Sequence, residues 1–307
     1  MPNHAPNWLK IHPEVAAALT NGQPVVALES AVVTHGLPYP ENLVIAKQME
    51  DLVRTAGAQP ATVVLLDGRI HLGISSPMLE RLVDSPDPEK ISLRDLASAT
   101  VKGKTGGTTV ATTMYVAHMA GVAVFGTGGI GGVHRGESGD VSADLSALAT
   151  LPVALVCSGA KAILDLPRTL EWLETAGVPI LGWGTDEFPA FFSRRSGLPV
   201  DARVDHAQEA ATVVRAHWDM GLKTGLLICV PCPEEDVIPW DELSKALEQA
   251  EADAKASALS GKAITPFLLR RLSELTGGAT LRANLTLLRN NARAAAELAK
   301  ELALQAT

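Results

Sequence analysis

A chain of 307 residues, 47% of them apolar and 20% charged, is long enough to bury a sizeable core. A formal net charge of −8 with 4% aromatic residues excludes the basic footprint and the stacking platforms that a nucleic-acid binder needs. The N-terminus reads as no secretory signal and three cysteines are too few for a disulfide framework, so a cytoplasmic protein is expected.

Short apolar runs alternate with amphipathic segments of helical period. Strands are predicted at 25–30, 62–68, 122–126, 153–159, 178–184 and 225–231. Helices are predicted near 41–56, 78–84, 92–100, 108–120, 142–149, 167–176, 205–219, 240–258, 265–275 and 279–305. The stretch 65–73, with Asp67-Gly68 at its turn, reads as a hairpin. The pattern predicts an α/β fold of three α/β/α layers, with a mostly parallel central sheet and a small antiparallel addition. No internal repeat or low-complexity linker interrupts it. One domain over 1–307 is therefore expected, its C-terminal helices (about 265–305) packed on it or on a neighbouring subunit.

Ligands in open α/β sheets bind beyond the carboxyl ends of the strands. The first such end, in VVALESAVVTHG (25–36), sets Glu29 inside an apolar run with His35 just beyond. An unpaired buried carboxylate costs several kcal/mol or takes up a proton. Further on, VKGKTGGTTVATT (101–113) imitates a phosphate loop, but Ser98 stands where its first glycine is required. Gly106 to Thr109 opening a helix remains either an anion site or an ordinary N-cap. The stretch 105–133 lacks Asp, Glu, Lys and Arg, yet it is too rich in glycine and threonine for a lipid-facing helix.

VFGTGGIGGVHRG (124–136) carries Gly126, Gly128 and Gly131 in dinucleotide spacing. No helix opens there, so a nicotinamide cofactor is rejected. His134 and Arg135 follow directly and favour an active-site loop. In GDVSADL (139–145), Ser142 suits a helix cap, while Asp140 is either part of that cap or a hard oxygen ligand for Mn²⁺ or Mg²⁺. VALVCSGAKAILDL (153–166) sets Lys161 just past a buried strand. A desolvated amine there attacks carbonyls to form a Schiff base; a phosphate-binding lysine and a structural ion pair stay open. Cys229 and Cys232 form a C-x-x-C, but Pro231 and Pro233 make it a strand entering a turn, against a redox or zinc role. Asn284, Asn290 and Asn291 interrupt a strong C-terminal helix and call for polar partners.

These stretches, with KISLRDL, PAFFSRRSG, TPFLLRRLSELTGG and NLTLLRNNA, resemble the pseudouridine-5′-phosphate glycosidase family, in its order and spacing from about residue 13 to residue 300. The resemblance implies reversible cleavage of the carbon–carbon glycosidic bond of pseudouridine 5′-phosphate to uracil and ribose 5-phosphate. It implies a divalent metal, typically manganese, and a homotrimer. By motif, Lys161 matches the lysine that attacks C1′ of the ring-opened sugar and Glu29 the general acid/base. Asp140 matches the metal-linked aspartate, and Ser142, Ala143 and Asp144 line the substrate. Lys90 and Val110 match substrate contacts, and His134 and Asn284 fall at active-site positions. His35, Arg135 and Asn291 receive no assignment. SGDVSADL stands where relatives often carry TFDISADL, and VCSGAK where they carry xCAGAK, neither change altering a reactive group. Two rival readings are a class I (Schiff-base) aldolase acting on sugar phosphates and a non-catalytic sugar-phosphate sensor.

Overall fold

The computed structural model describes residues 8–136, 139–257 and 264–305. The first half runs β1 (Leu9–Ile11), α1 (Pro13–Thr20), β2 (Val25–Leu28), α2 (Glu41–Thr55), β3 (Gln59–Leu66), β4 (Arg69–Leu72), α3 (Ser76–Val83), β5 (Glu89–Ile91), α4 (Leu93–Val101), β6 (Gly106–Thr108), α5 (Val110–Ala120) and β7 (Val124–Gly126). The second runs β8 (Val133–His134), α6 (Ala143–Thr150), β9 (Ala154–Cys157), β10 (Leu164–Asp165), α7 (Leu166–Thr175), β11 (Ile180–Trp183), β12 (Ala202–Val204), α8 (Ala207–Asp219), β13 (Leu226–Cys229), α9 (Trp240–Ala256), α10 (Ile264–Leu275) and α11 (Ala279–Leu304). One turn of π-helix, Val32–Gly36, follows β2.

The central sheet has the strand order β1-β4-β3-β2-β7-β9-β13-β11-β12. Every pair from β3 to β12 is parallel. Strands covered on both faces need no polar alternation, and β2, β9 and β13 are buried at every residue. Helix α11 lies along β2, β7 and β9 and packs on α2 and α8, while α5 packs on β2, β7 and α6. The expected α/β/α layering is borne out. So is the antiparallel addition: β3 turns into β4 through Asp67 and Gly68, whose φ values of 49° and 71° are those of a type I′ turn.

The sheet divides beside β2, and that division creates the site. β2 pairs with Gln59 to Thr62 of β3, then leaves, and β6 takes over the same edge antiparallel, at Val64 and Leu65. Ser30 fills the junction. Its hydroxyl donates to Val63 O (2.5 Å) and accepts the Thr108 N–H (3.0 Å). β5 then adds to β6 and sets Lys90 opposite Gly107, a few residues before α5 begins.

Six strands lie outside those predicted: β1, β5, β6, β8, β10 and β12, each of two or three residues. Such pieces are too short to carry a readable period. The helix predicted from 108 starts at Val110, because Gly106–Thr108 is drawn into the sheet. Helix α1 and the π-turn are also additions to the predicted elements, and residue 258, the predicted end of α9, lies outside the described residues.

The junction makes a prediction. Ser30→Ala leaves the buried Thr108 N–H without its acceptor and costs about 1–3 kcal/mol. In urea unfolding this appears as a lower midpoint at unchanged slope; an unchanged midpoint would show that the junction contributes nothing.

Candidate active site

Glu29 is the first residue past β2 and is 9% exposed. The parallel register pairs Leu28 with Gly126, so Glu29 and Thr127 emerge side by side at neighbouring strand ends. The Thr127 hydroxyl donates to Glu29 Oε1. Burial pushes the Glu29 carboxyl above its ordinary value, and the nearby Lys161 ammonium and the Thr127 hydrogen bond only partly oppose that rise.

Lys161 is carried by a second pairing. Beyond β7 and β9 the loops continue side by side: Ser158 N–H donates to Gly128 O (2.9 Å), Ile130 N–H to Gly159 O (3.0 Å) and Lys161 N–H to Ile130 O (3.1 Å). Gly159 has φ +79°, and a Cβ on it would lie 2.1 Å from Pro189 O; only glycine passes there. Asn291, in α11, fastens the same loops from behind, donating to Thr127 O (2.9 Å), Gly128 O (3.3 Å) and Ser158 Oγ (3.1 Å).

These strand ends border a cavity of about 690 Å³. Glu29, Lys161, Lys90, Val110, His134, Asp140, Ser142, Ala143, Asp144 and Asn284 all line it, as does His35. Arg135 and Asn291 do not. Arg135 binds the carbonyls of Leu164 and Ala162 (both 3.1 Å) and pairs with Glu251 (3.4 Å), and Asn291 is the buried clamp just described. Sequence reasoning missed several lining residues: Ser92, Arg94, Phe191, and Ile264, Pro266 and Leu269 at the start of α10, whereas Thr109 lay in the candidate anion site it named. Phe191 carries a signal only in three dimensions, a left-handed φ of 62° in a buried aromatic residue. Helix α10 reaches the cavity by tertiary packing that no local pattern encodes.

At one end, the N-terminus of α5 faces the cavity. Val110, at its first position, has an N–H with no acceptor within the helix. The Thr109 hydroxyl is buried without a hydrogen-bond partner among the described residues, and Lys90 approaches through the β5–β6 pairing. The Val110 N–H, the Thr109 hydroxyl and the Lys90 ammonium are the kinds of donor that an anion site uses.

The glycine loop works differently from an anion cradle. The Gly131 N–H donates to Asp144 Oδ2 (2.8 Å), and a Cβ on Gly131 would sit 2.3 Å from Ser142 Oγ. Asp144 Oδ1 in turn accepts the Ala111 N–H (2.9 Å). Asp144 thereby ties the loop to α5, and Ser142 caps α6 by accepting the Asp144 N–H (3.2 Å). Strand β8 pairs His134 with Leu164 of β10 and holds the imidazole at the cavity wall. Burial lowers its pKa, against the pull of Asp140, so the ring is neutral at neutral pH.

Asp140 Oδ2 lies 3.8 Å from His134 Nε2, with 45% of the Asp140 side chain exposed. Among the described residues no three His, Cys, Asp or Glu side chains gather to hold a metal ion. A single half-exposed carboxylate fits a hard cation that keeps most of its waters, and does not fit a closed cage. The three cysteines are unpaired and buried. Burial raises Cys229 well above the usual thiol range and pushes Cys232 up to about 12, so both stay protonated and unreactive. Among the described residues no helix is long and apolar enough to cross a membrane.

The family model described as indigoidine synthase A like protein matches residues 14–301. The chain is 51% identical over 296 residues to a pseudouridine-5′-phosphate glycosidase of Solibacter usitatus, covering 96% of this chain and 99% of that one. It is 50% identical over 297 residues to one of Caldanaerobacter subterraneus, covering 96% and 97%. Among solved structures, an indigoidine synthase A-like protein of Thermotoga maritima matches with TM-score 0.90 at 37% identity, over 99% of this chain and 100% of that one. Prealnumycin C-glycosynthase AlnA in complex with ribulose 5-phosphate also matches with TM-score 0.90, at 38% identity, over 98% and 99%.

The burial of Glu29 has a stability consequence. A carboxyl whose folded pKa is raised favours the fold below its ordinary value of 4.5 and disfavours it as the pH climbs from there through the shifted value. Glu29→Gln keeps an oxygen for Thr127 and removes that titration. The melting-temperature difference, variant minus wild type, is therefore expected to grow more positive as the pH rises above 4.5; a flat difference would contradict the raised pKa.

Proposed function

The chain belongs to the indigoidine synthase A-like family, and we propose that it reversibly cleaves the carbon–carbon glycosidic bond of pseudouridine 5′-phosphate to uracil and ribose 5-phosphate. The observation that carries this reading is the desolvated Glu29 carboxyl within electrostatic reach of Lys161, in one cavity with an anion site. Relatives of that name at about half identity support it, as does the sugar phosphate in the complex of a structural neighbour.

A carbon–carbon glycoside has no heteroatom to carry off the bonding electrons. In the proposed cycle the sugar ring opens and the Lys161 amine bonds to C1′. Protonation of the base at C5 makes it an electron acceptor. The nitrogen lone pair then expels uracil and leaves an imine, which water hydrolyses to ribose 5-phosphate. Glu29 moves the protons, since a carboxyl whose pKa is raised by burial holds a proton to higher pH than an exposed one and is the better able to give it as well as take it. The phosphate sits against Lys90, the Thr109 hydroxyl and the Val110 N–H. Neutral His134 and the amide of Asn284 hold substrate oxygens, and Ser142, Ala143 and Asp144 shape the wall. Asp140 is the residue that would hold Mn²⁺ or Mg²⁺, whose chemistry there is to polarise substrate oxygens and order water. A cytoplasmic homotrimer completes the reading on the family resemblance alone.

Purified protein given pseudouridine 5′-phosphate and Mn²⁺ is expected to release uracil, and chelation to suppress the release. Lys161→Ala should lower turnover about a thousandfold or more. Borohydride added with ribose 5-phosphate should attach the reduced sugar to the Lys161 peptide. No uracil from folded protein with or without metal would overturn the reading, and cleavage of a base-free sugar phosphate would turn it to the aldolase.

A further inference from the structure

Thr127 is fully buried and its backbone is fixed at both ends. Its N–H donates to Val156 O (3.0 Å), and its carbonyl accepts Asn291 Nδ2 (2.9 Å) from α11. The Cα and Cβ therefore have one position, set by the sheet on one side and by the C-terminal helix on the other. From that position the hydroxyl reaches Glu29 Oε1. The two residues stand next to each other just beyond the last paired residues of β2 and β7, so the contact follows from register and does not depend on a mobile loop.

A carboxyl group has two oxygens, and a general acid must present the right one. An oxygen already accepting a hydrogen bond from a fixed hydroxyl is the poorer place for the acid proton, which goes to the other oxygen. The hydrogen bond also favours the ionised form, against the desolvation that otherwise dominates at Glu29. We infer that Thr127 is a positioning residue for Glu29: its hydroxyl occupies Oε1, locks the carboxyl plane, and leaves Oε2 to carry the proton to and from the substrate. Asn291 takes part at one remove, by holding the Thr127 carbonyl. The catalytic part of this inference rests on the proposed glycosidase reading; the structural part, that the Thr127 hydroxyl lowers the proton affinity of Glu29 alongside Lys161 and against burial, does not.

The test compares Thr127→Val, which keeps the shape and removes the hydroxyl, with Thr127→Ser, which restores it, and with Thr127→Ala as a second hydroxyl-free form. Two readouts are taken. The first is the Glu29 titration itself, followed by carboxyl ¹³C NMR in unliganded protein, with Glu29→Gln to assign the signal. The second is the pH profile of uracil release. Val and Ala are expected to move the Glu29 titration, and the matching limb of the rate profile, to higher pH. They should lower kcat about ten- to a hundredfold with KM within about threefold. Ser should return both readouts to near wild type. An unshifted Glu29 titration in the Val and Ala variants would overturn the inference. So would a lower kcat that Ser fails to rescue, since that reports packing alone. If wild-type protein releases no uracil, the glycosidase reading fails while the titration still decides the role of Thr127.

Discussion

The site depends on removing one carboxylate from water. Glu29 follows four buried strand residues and enters a cavity whose nearest charges are those of Lys161, Asp144 and Lys90. In water an ammonium facing a carboxylate would change little; at this buried strand end it pulls against the rise that burial imposes on the Glu29 carboxyl. The same position exposed on a loop would leave an ordinary acid, ionised throughout the physiological range and of little use in donating a proton. The apolar sheet is thus part of the chemistry.

Fixing that carboxylate requires a sheet that opens at one place. If β2 ran the full length of β3, the residue after Leu28 would be drawn into the ladder. Instead the edge passes to β6 at Val64, and Ser30 satisfies the backbone groups at the change. The handover lets Glu29 turn toward the cavity, and through β5 and β6 it brings Lys90 to the N-terminus of α5. The proposed anion site and the proposed acid/base are therefore two results of one topological event. The parallel continuation of the loops beyond β7 and β9 does the same for Lys161.

Much of this was legible in the sequence because it rests on long or chemically costly features. The buried strands announce themselves as unbroken apolar runs, and Glu29 stands out because an acid inside one needs a reason. Lys161 is legible in the same way, as a charge placed directly after a buried strand. What escaped were features made by the third dimension. Strands of two or three residues have no period. The G-x-G spacing marked a loop without showing what its glycines do: the Gly131 N–H serves Asp144 and the glycines admit neighbouring atoms. Thr127 went unnoticed although it occupies the strand end beside that of Glu29, because only the β2–β7 register shows that the two side chains meet. Asn291 was visible as a polar residue out of place in a helix, and its carbonyl partners lie 163 and 164 residues away.

Two carboxylates border the cavity from within the fold, and their surroundings separate them. Asp144 accepts two backbone N–H bonds, from Ala111 and Gly131, an arrangement that joins the glycine loop to α5. Among the described residues Glu29 accepts a single hydroxyl and no backbone N–H, and it follows four buried apolar strand residues. A group meant to exchange a proton cannot be saturated with donors, because each donor must be given up or weakened when the proton arrives. The fold therefore gives two N–H donors to the acid that holds the walls together and, among the described residues, one hydroxyl to the acid beside Lys161. That contrast, more than the presence of either residue, is what supports the proposed proton-transfer role of Glu29 over one for Asp144.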